Sequence, residues 1–197
     1  EKATALDRLV LLTTFGADTR RIAHQETSIQ DVIRQAKHLD IDLIGVPLHP
    51  GKDYTEHIGA GLSLLDSKEE TEKKCELTLI FGDLHLAHIK DWRDKEMSKL
   101  IGKNGSLQYP LFEVDYSVLI EDLECSGVPC LVSACEFGIR NGKASEPPSG
   151  MKVGVKFDRA LMRACKEVGW DMFGENGEFH TLAQVWMVSK ERALGLV

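Results

Sequence analysis

LVLLTTF at residues 9–15 is a continuous apolar run that turns polar only at its end, where a loop begins with Gly16. This pattern is typical of a strand that is buried on both faces, as in a parallel sheet. LIGVP at residues 43–47 and LTLIFGD at residues 77–83 have the same character. The sequence therefore predicts several buried parallel strands.

Helical patterns alternate with these strands. Apolar residues recur at helical spacing within 29–36, 55–74, 92–100, 116–123 and 157–168, and a further strand is predicted at 128–135. Such alternation predicts an α/β fold, with a mostly parallel sheet covered by helices on both faces. We expect an N-terminal domain at residues 1–103 and a smaller C-terminal α/β lobe at residues 104–197.

Composition narrows the class of protein. The net charge of −7 argues against a general nucleic-acid binder, which needs a basic face. No stretch approaches the roughly 18 apolar residues of a membrane span, and the N-terminus does not look like a signal peptide. The five cysteines (Cys75, Cys125, Cys130, Cys135 and Cys165) contain no C-x-x-C pair, which favours free thiols in a reducing compartment. We therefore expect a soluble cytoplasmic protein.

Candidate ligand-binding residues follow from the predicted sheet. In a sheet of this type the ligand crevice lies beyond the carboxyl ends of the strands. This rule points to Thr13 and Thr14 on one strand and to Gly82 and Asp83 on another. Asp83 also suits a helix cap, and Arg93 suits either a phosphate contact or a surface ion pair.

The stretch GENGEFHT at residues 174–181 is the most informative part of the sequence. Its two glycines let the backbone turn tightly and approach a ligand. Two carboxylates, an amide and an imidazole within so few residues are costly to cluster unless they are solvated or bind something. By composition alone, a polar turn before a short strand explains the stretch equally well.

This octapeptide resembles the C-terminal signature of the diphthine–ammonia ligase-like branch of the PP-loop ATP pyrophosphatases, also called adenine nucleotide alpha hydrolase-like proteins. Other segments resemble the family in the same order: LVLLTTF with Arg20, Arg21 and His24, then FGDLHLAHIKDWRDKEM at 81–97, YPLF at 109–112 and SGVPCLVSAC at 126–135. The resemblance covers nearly the whole chain.

The resemblance implies an ATP-dependent, AMP-forming amide ligase, in which Mg²⁺-bound ATP adenylates a carboxylate that ammonia then attacks. The acceptor would be a carboxylate on a protein side chain or a small molecule. By the same resemblance Thr13, Thr14, Phe15, Gly82 and Asp83 would bind the nucleotide. Glu178 and His180 would be catalytic, although a structural role for His180 fits equally well. Substrate binding would fall to the remaining residues of the octapeptide, namely Gly174, Glu175, Asn176, Gly177 and Thr181.

The chain departs from the family at its beginning, because the first strand and its Ser-Gly-Gly-Lys-Asp-Ser loop are absent and residue 1 falls inside the following helix. Gly51-Lys52-Asp53 shares three letters with that loop but follows the wrong strand, so we treat it as a coincidence. Either the sequence is part of a longer chain, or the protein is a non-catalytic binding or scaffold subunit. Without that loop, the polypeptide is expected to hydrolyse ATP poorly. His85 and His88 lack a partner acid or cysteine at metal spacing, so no protein-held metal is predicted.

Overall fold

The computed structural model describes residues 8–22, 25–66, 76–136, 138–140, 143–145 and 147–196. These residues form helices and short strands in alternation. The strands are β1 (Val10–Gly16), β2 (Asp42–Leu48), β3 (Thr78–Ile80), β4 (Ser106–Gln108), β5 (Cys130–Cys135), β6 (Gly138–Arg140), β7 (Lys143–Ser145) and β8 (Phe179–Ala183). The helices are α1 (Ile29–Leu39), α2 (Tyr54–Asp66), α3 (Ala87–Ile101), α4 (Tyr116–Ser126), α5 (Arg159–Glu167) and α6 (Lys190–Ala193).

The N-terminal half contains two parallel strand pairs. β1 pairs with β2 over seven residues, so that Val10 lies opposite Asp42 and Gly16 opposite Leu48. β3 pairs with β4 over three residues. β4 lies beyond residue 103, where we expected the N-terminal domain to end, but it hydrogen-bonds to that domain's β3.

The C-terminal half is built around an antiparallel pair. β5 runs antiparallel to β8 with an irregularity in register between Val132 and Ala134. The other edge of β5 bonds to the segment before α5, through the Phe157 amide, which donates to the Cys130 carbonyl at 2.8 Å. β6 and β7 form a separate antiparallel pair. A mixed α/β fold is thus confirmed, and the described strands pair in twos.

Two apolar clusters hold these elements together. One joins Ile58 and Leu62 of α2 to Met97 of α3, with residues of β3 and β4 packed against it. The other surrounds Val132 of β5 and Phe179 of β8, which are almost completely buried. Fully burying a side chain of this size stabilises a fold by about 1.5–3 kcal/mol, so both clusters are strong local cores.

The C-terminal residues return to the N-terminal half and pack on α1. The Gln35 side-chain amide donates to the Ala183 carbonyl at 2.8 Å, and the Arg34 guanidinium lies 4.1 Å from the centre of the Trp186 ring. These contacts fix the end of β8 against α1, the helix between β1 and β2 in the chain. Among the described helices, none combines the length and the apolar character that crossing a membrane requires.

Candidate active-site cleft

An open cleft of about 1050 Å³ lies where β1 and β2 end. One wall is formed at and after the end of β1, by residues 16–22 together with 25–26, and a second by residues 48–57, from the end of β2 to the first turn of α2. The facing wall comes from the end of β5 and from Gly177 and His180 of the octapeptide. The cleft therefore combines the carboxyl ends of two parallel strands with the octapeptide.

The wall after β1 is a tight loop. The Gly16 amide donates to the Arg21 carbonyl at 2.9 Å, and the Arg20 amide donates back to the Gly16 carbonyl at 2.9 Å. Arg21 is neutralised by an ion pair with Glu26. Asp18 also lines this wall, where its carboxylate accepts a hydrogen bond from the Thr19 amide at 2.8 Å.

The wall between β2 and α2 carries two imidazoles and a lysine. His57 Nε2 accepts a hydrogen bond from the His49 amide at 3.3 Å, which ties the first turn of α2 to the end of β2. Asp53 accepts from the amide and the hydroxyl of Thr55 and so caps α2. These hydrogen bonds lower the pKa of Asp53 below its usual value. Lys52 lines the cleft immediately before this cap.

The octapeptide forms a turn that is organised by Asp171, a residue just before it. Asp171 Oδ1 accepts from the amides of Phe173 and Glu175 at 2.8 and 3.0 Å. The Asp171 amide in turn donates to Glu178 Oε1 at 3.1 Å, and Asn176 donates to the same oxygen at 3.3 Å. The Glu178 side chain is therefore held inside the turn, with only 4% of the residue exposed.

Gly174 is required by the geometry of this turn. Its φ angle is +73°, a conformation that favours glycine, and a Cβ atom there would lie 2.6 Å from the Phe179 carbonyl oxygen. Phe179 is itself buried in the core, so the carbonyl has little freedom to move. The turn and the start of β8 are thus built as one unit.

The octapeptide also contacts the second parallel pair. Glu175 Oε1 accepts a hydrogen bond at 3.0 Å from the amide of Leu84, the residue after Asp83. The Tyr116 hydroxyl donates to Asp171 Oδ2 at 2.7 Å and lies 2.8 Å from His85 Nδ1. Burial and the hydrogen bond to Asp171 raise the pKa of Tyr116. The octapeptide therefore joins the strand tip that bears Asp83 to the cleft at β1 and β2.

Asp83 is engaged in an ion pair. Arg93 Nε lies 2.7 Å from Asp83 Oδ2, and the guanidinium also donates to Oδ1 at 3.1 Å. The same guanidinium lies 4.4 Å from the centre of the Phe81 ring. Of the two roles considered for Arg93, the ion pair with a neighbouring acid is the one observed.

The predicted site residues occupy different positions relative to the cleft. Gly177 and His180 line the cleft. Thr13, Thr14 and Phe15 lie on β1 immediately before the cleft wall, and they are not among the residues that line it. Gly82 and Asp83 follow β3 and reach the octapeptide through Leu84. Gly174, Glu175, Asn176 and Glu178 build the turn behind the cleft, and Thr181 lies opposite Val132 within the β5–β8 pair. His24 lies outside the described residues.

Sequence reasoning missed the wall between β2 and α2. His49, Lys52, Tyr54 and His57 all line the cleft. Gly51-Lys52-Asp53 was available as a signal, but its resemblance to a loop expected after a different strand led us to set it aside. The spacing of Tyr54 and His57 on one face of α2 was the second usable signal.

The cleft contains one thiol, Cys135, at the end of β5. Burial raises the pKa of the thiols of Cys130 and Cys135, and it raises the pKa of Cys165 to about 11. These thiols stay protonated at neutral pH, so they are not activated nucleophiles. Within the described ranges, no group of three or more His, Cys, Asp or Glu side chains is arranged to hold a metal ion by itself.

Comparison with protein-family models gives no match, and comparison with curated proteins gives no significant match.

Proposed function

We propose that this protein is an ATP-dependent, AMP-forming amide ligase of the diphthine–ammonia ligase-like type, a member of the PP-loop ATP pyrophosphatases. The observation that supports the proposal is the cleft itself. It lies at the carboxyl ends of parallel strands, where α/β proteins bind ligands, and His180 of the octapeptide faces it. Its volume suits a ligand of nucleotide size.

The proposal includes a single, mostly parallel sheet with helices on both faces. α2 supports this arrangement, because a Cβ atom on Gly61 would lie 2.6 Å from Val46 of β2 while Leu62 packs with β3 and β4. One helix thus covers both parallel pairs. The four free cysteines among the described residues agree with the reducing cytoplasm as its compartment.

Catalysis in this cleft requires that the phosphates be neutralised and that the acceptor be held beside the nucleotide. Mg²⁺ is usually held by one or two carboxylates together with substrate phosphates. The carboxylates of Asp18 and Glu136, which line the cleft together with that of Glu26, would hold the ion. When bound, Mg²⁺ would offset phosphate charge. His180 would accept the proton that the ammonia nitrogen loses as it bonds to the acyl carbon and AMP leaves, since imidazole titrates near neutral pH.

A second candidate function is non-catalytic binding. Two of the carboxylates expected to act on ligands are already used within the protein: Asp83 pairs with Arg93, and Glu178 holds the octapeptide turn. A scaffold protein that kept the fold would need these contacts and would need no turnover. This function predicts ligand binding without chemistry.

Pyrophosphate release separates the two functions. The full-length protein would be incubated with Mg²⁺, ATP, ammonium and candidate carboxylate acceptors. We expect acceptor-dependent release that falls about 100-fold or more in His180→Ala, the usual scale for loss of an acid–base group. The matched control is His88→Ala, which removes an exposed imidazole on α3 and should leave the rate unchanged. If the protein binds ATP but releases no pyrophosphate with any acceptor, the result would support the non-catalytic binding function instead.

A further inference from the structure

The wall between β2 and α2 presents a set of rings to the cleft. Tyr54 and His57 are three residues apart at the start of α2, so they share one helical face. The His49 ring lies beside them, with its centre 5.8 Å from that of His57. The hydrogen bond from the His49 amide to His57 Nε2 fixes the position of the His57 ring. This wall is therefore aromatic and locally ordered.

Trp92 of α3 extends the wall. Its ring centre lies 6.0 Å from that of Tyr54, and the two ring planes are inclined by 51°. Tyr54 is 37% exposed and Trp92 is 38% exposed, so both rings keep surface open to solvent. In the part of the chain that the structure describes, the Tyr54 hydroxyl has no hydrogen-bond partner. Paired, partly exposed aromatic rings at the edge of a cleft are suited to stacking a planar ligand.

A cation lies next to these rings. Lys52 precedes Tyr54 by two residues and lines the same cleft, and over the described ranges its ammonium forms no ion pair. Arg21, across the cleft, is already paired with Glu26. The Asp53 carboxylate is turned toward the first turn of α2, where it binds Thr55. Lys52 is thus the cation that is available to an anionic ligand.

We propose that Tyr54, supported by Trp92, stacks the planar base of the nucleotide and that Lys52 binds its phosphate. The inference rests on the proposed function, and it states which residues bind the base and which residue binds the phosphate of the nucleotide. It also places the base apart from Phe15, one of the residues to which the resemblance assigns nucleotide binding. The Phe15 ring packs over Gly45 in the sheet, 3.2 Å from where a Cβ atom on that glycine would lie.

The test measures binding of three probes by calorimetry: Mg²⁺–ATP, adenosine and inorganic tripolyphosphate. Replacing a stacked aromatic residue by alanine removes most of the stacking energy. Tyr54→Ala should therefore weaken the binding of ATP and of adenosine about tenfold or more, and it should leave the binding of tripolyphosphate unchanged. Tyr54→Phe keeps the ring and should bind like the wild type. Lys52→Ala should weaken ATP and tripolyphosphate but not adenosine, and circular dichroism would show that each variant is folded.

Tryptophan fluorescence gives an independent readout. Trp170 is buried and Trp186 lies against Arg34, so a stacked base should quench chiefly Trp92. We expect adenosine to quench the emission of the wild type and of Trp186→Phe, and to leave the emission of Trp92→Phe unchanged. Loss of quenching in Trp186→Phe would contradict the proposed position.

The outcomes distinguish this inference from the proposed function. ATP affinity in Tyr54→Ala within twofold of wild type would overturn the stacking site and leave the ligase proposal standing. Adenosine binding that depends on Tyr54, in a protein that releases no pyrophosphate, would support the stacking site while the ligase proposal fails. If neither ATP nor adenosine binds the wild type, the stacking site is overturned.

Discussion

Asp171 organises the octapeptide although it lies outside it. Its carboxylate accepts three hydrogen bonds, from the amides of Phe173 and Glu175 and from the Tyr116 hydroxyl. Bonds to a charged acceptor contribute about 1.5–3 kcal/mol each, so the conformation of the turn depends strongly on this one side chain. The octapeptide therefore keeps its shape without a ligand, and Gly177 and His180 are held at the cleft.

At the scale of single residues, Tyr116 makes the free energy of unfolding sensitive to alkaline pH. Burial, followed by the hydrogen bond to Asp171, raises its pKa above the ordinary value of 10.0. Because the folded protein holds this proton more tightly than the unfolded chain, the contribution is complete below about pH 10 and is lost as the pH rises. We expect the free energy of unfolding to fall above about pH 10, and to fall less steeply in Tyr116→Phe. Urea unfolding at several pH values measures both slopes.

Tyr109 provides the internal comparison for this experiment. Burial and its hydrogen bond to Asp94 raise its pKa as well, so Tyr116→Phe should keep part of the alkaline dependence. An unchanged slope in Tyr116→Phe would show that the Tyr116–Asp171 bond does not contribute to the loss of stability at alkaline pH.

At the scale of elements, two glycines of α2 should respond oppositely to alanine. A Cβ atom on Gly59 would lie 3.4 Å from Leu100, an ordinary contact, whereas on Gly61 it would lie 2.6 Å from Val46. Gly59→Ala should stabilise the protein by about 0.5–1 kcal/mol because alanine is the better helix former. Gly61→Ala should destabilise it by about 1–3 kcal/mol because α2 must move away from β2. Urea unfolding of the two variants measures the difference, and equal effects would contradict the close packing.

Local sequence patterns located most helices and strands, but they did not predict which strands pair with each other. The apolar run at 9–15 became β1, and helical spacing located α1, α3, α4 and α5, since both signals depend on residues close in sequence. β4 was missed because three residues are too few for a period. β6 and β7 were missed because residues 136–150 contain several glycines and prolines, a composition typical of a loop. The antiparallel direction of β8 depends on contacts with β5, which no local pattern contains.

For the whole molecule, the candidate site combines four separated parts of the chain: residues 16–22 with 25–26, residues 48–57, residues 134–136, and Gly177 with His180. The octapeptide was found in the sequence from its glycines and clustered polar side chains and from its resemblance to a family signature. The rule that ligands bind at the carboxyl ends of parallel strands located the end of β1. The wall at 48–57 could not be found in the same way, because His49, Lys52 and Tyr54 are ordinary residues for a loop and a helix start. Only the fold shows that they face His180.

The hydrogen bond from the Leu84 amide to Glu175 joins the octapeptide to the second parallel pair, so it tests how the halves depend on each other. Leu84 is 8% exposed, and Glu175→Ala would leave its buried amide without this acceptor. We expect a loss of about 1–3 kcal/mol in unfolding free energy. Glu175→Gln keeps the side-chain oxygen and should recover most of it. Hydrogen exchange at the Leu84 amide should be faster in Glu175→Ala and near the wild-type rate in Glu175→Gln. If both variants lose the same stability, the charge of Glu175, and not its hydrogen bond to the Leu84 amide, couples the octapeptide to the strand tip that bears Asp83.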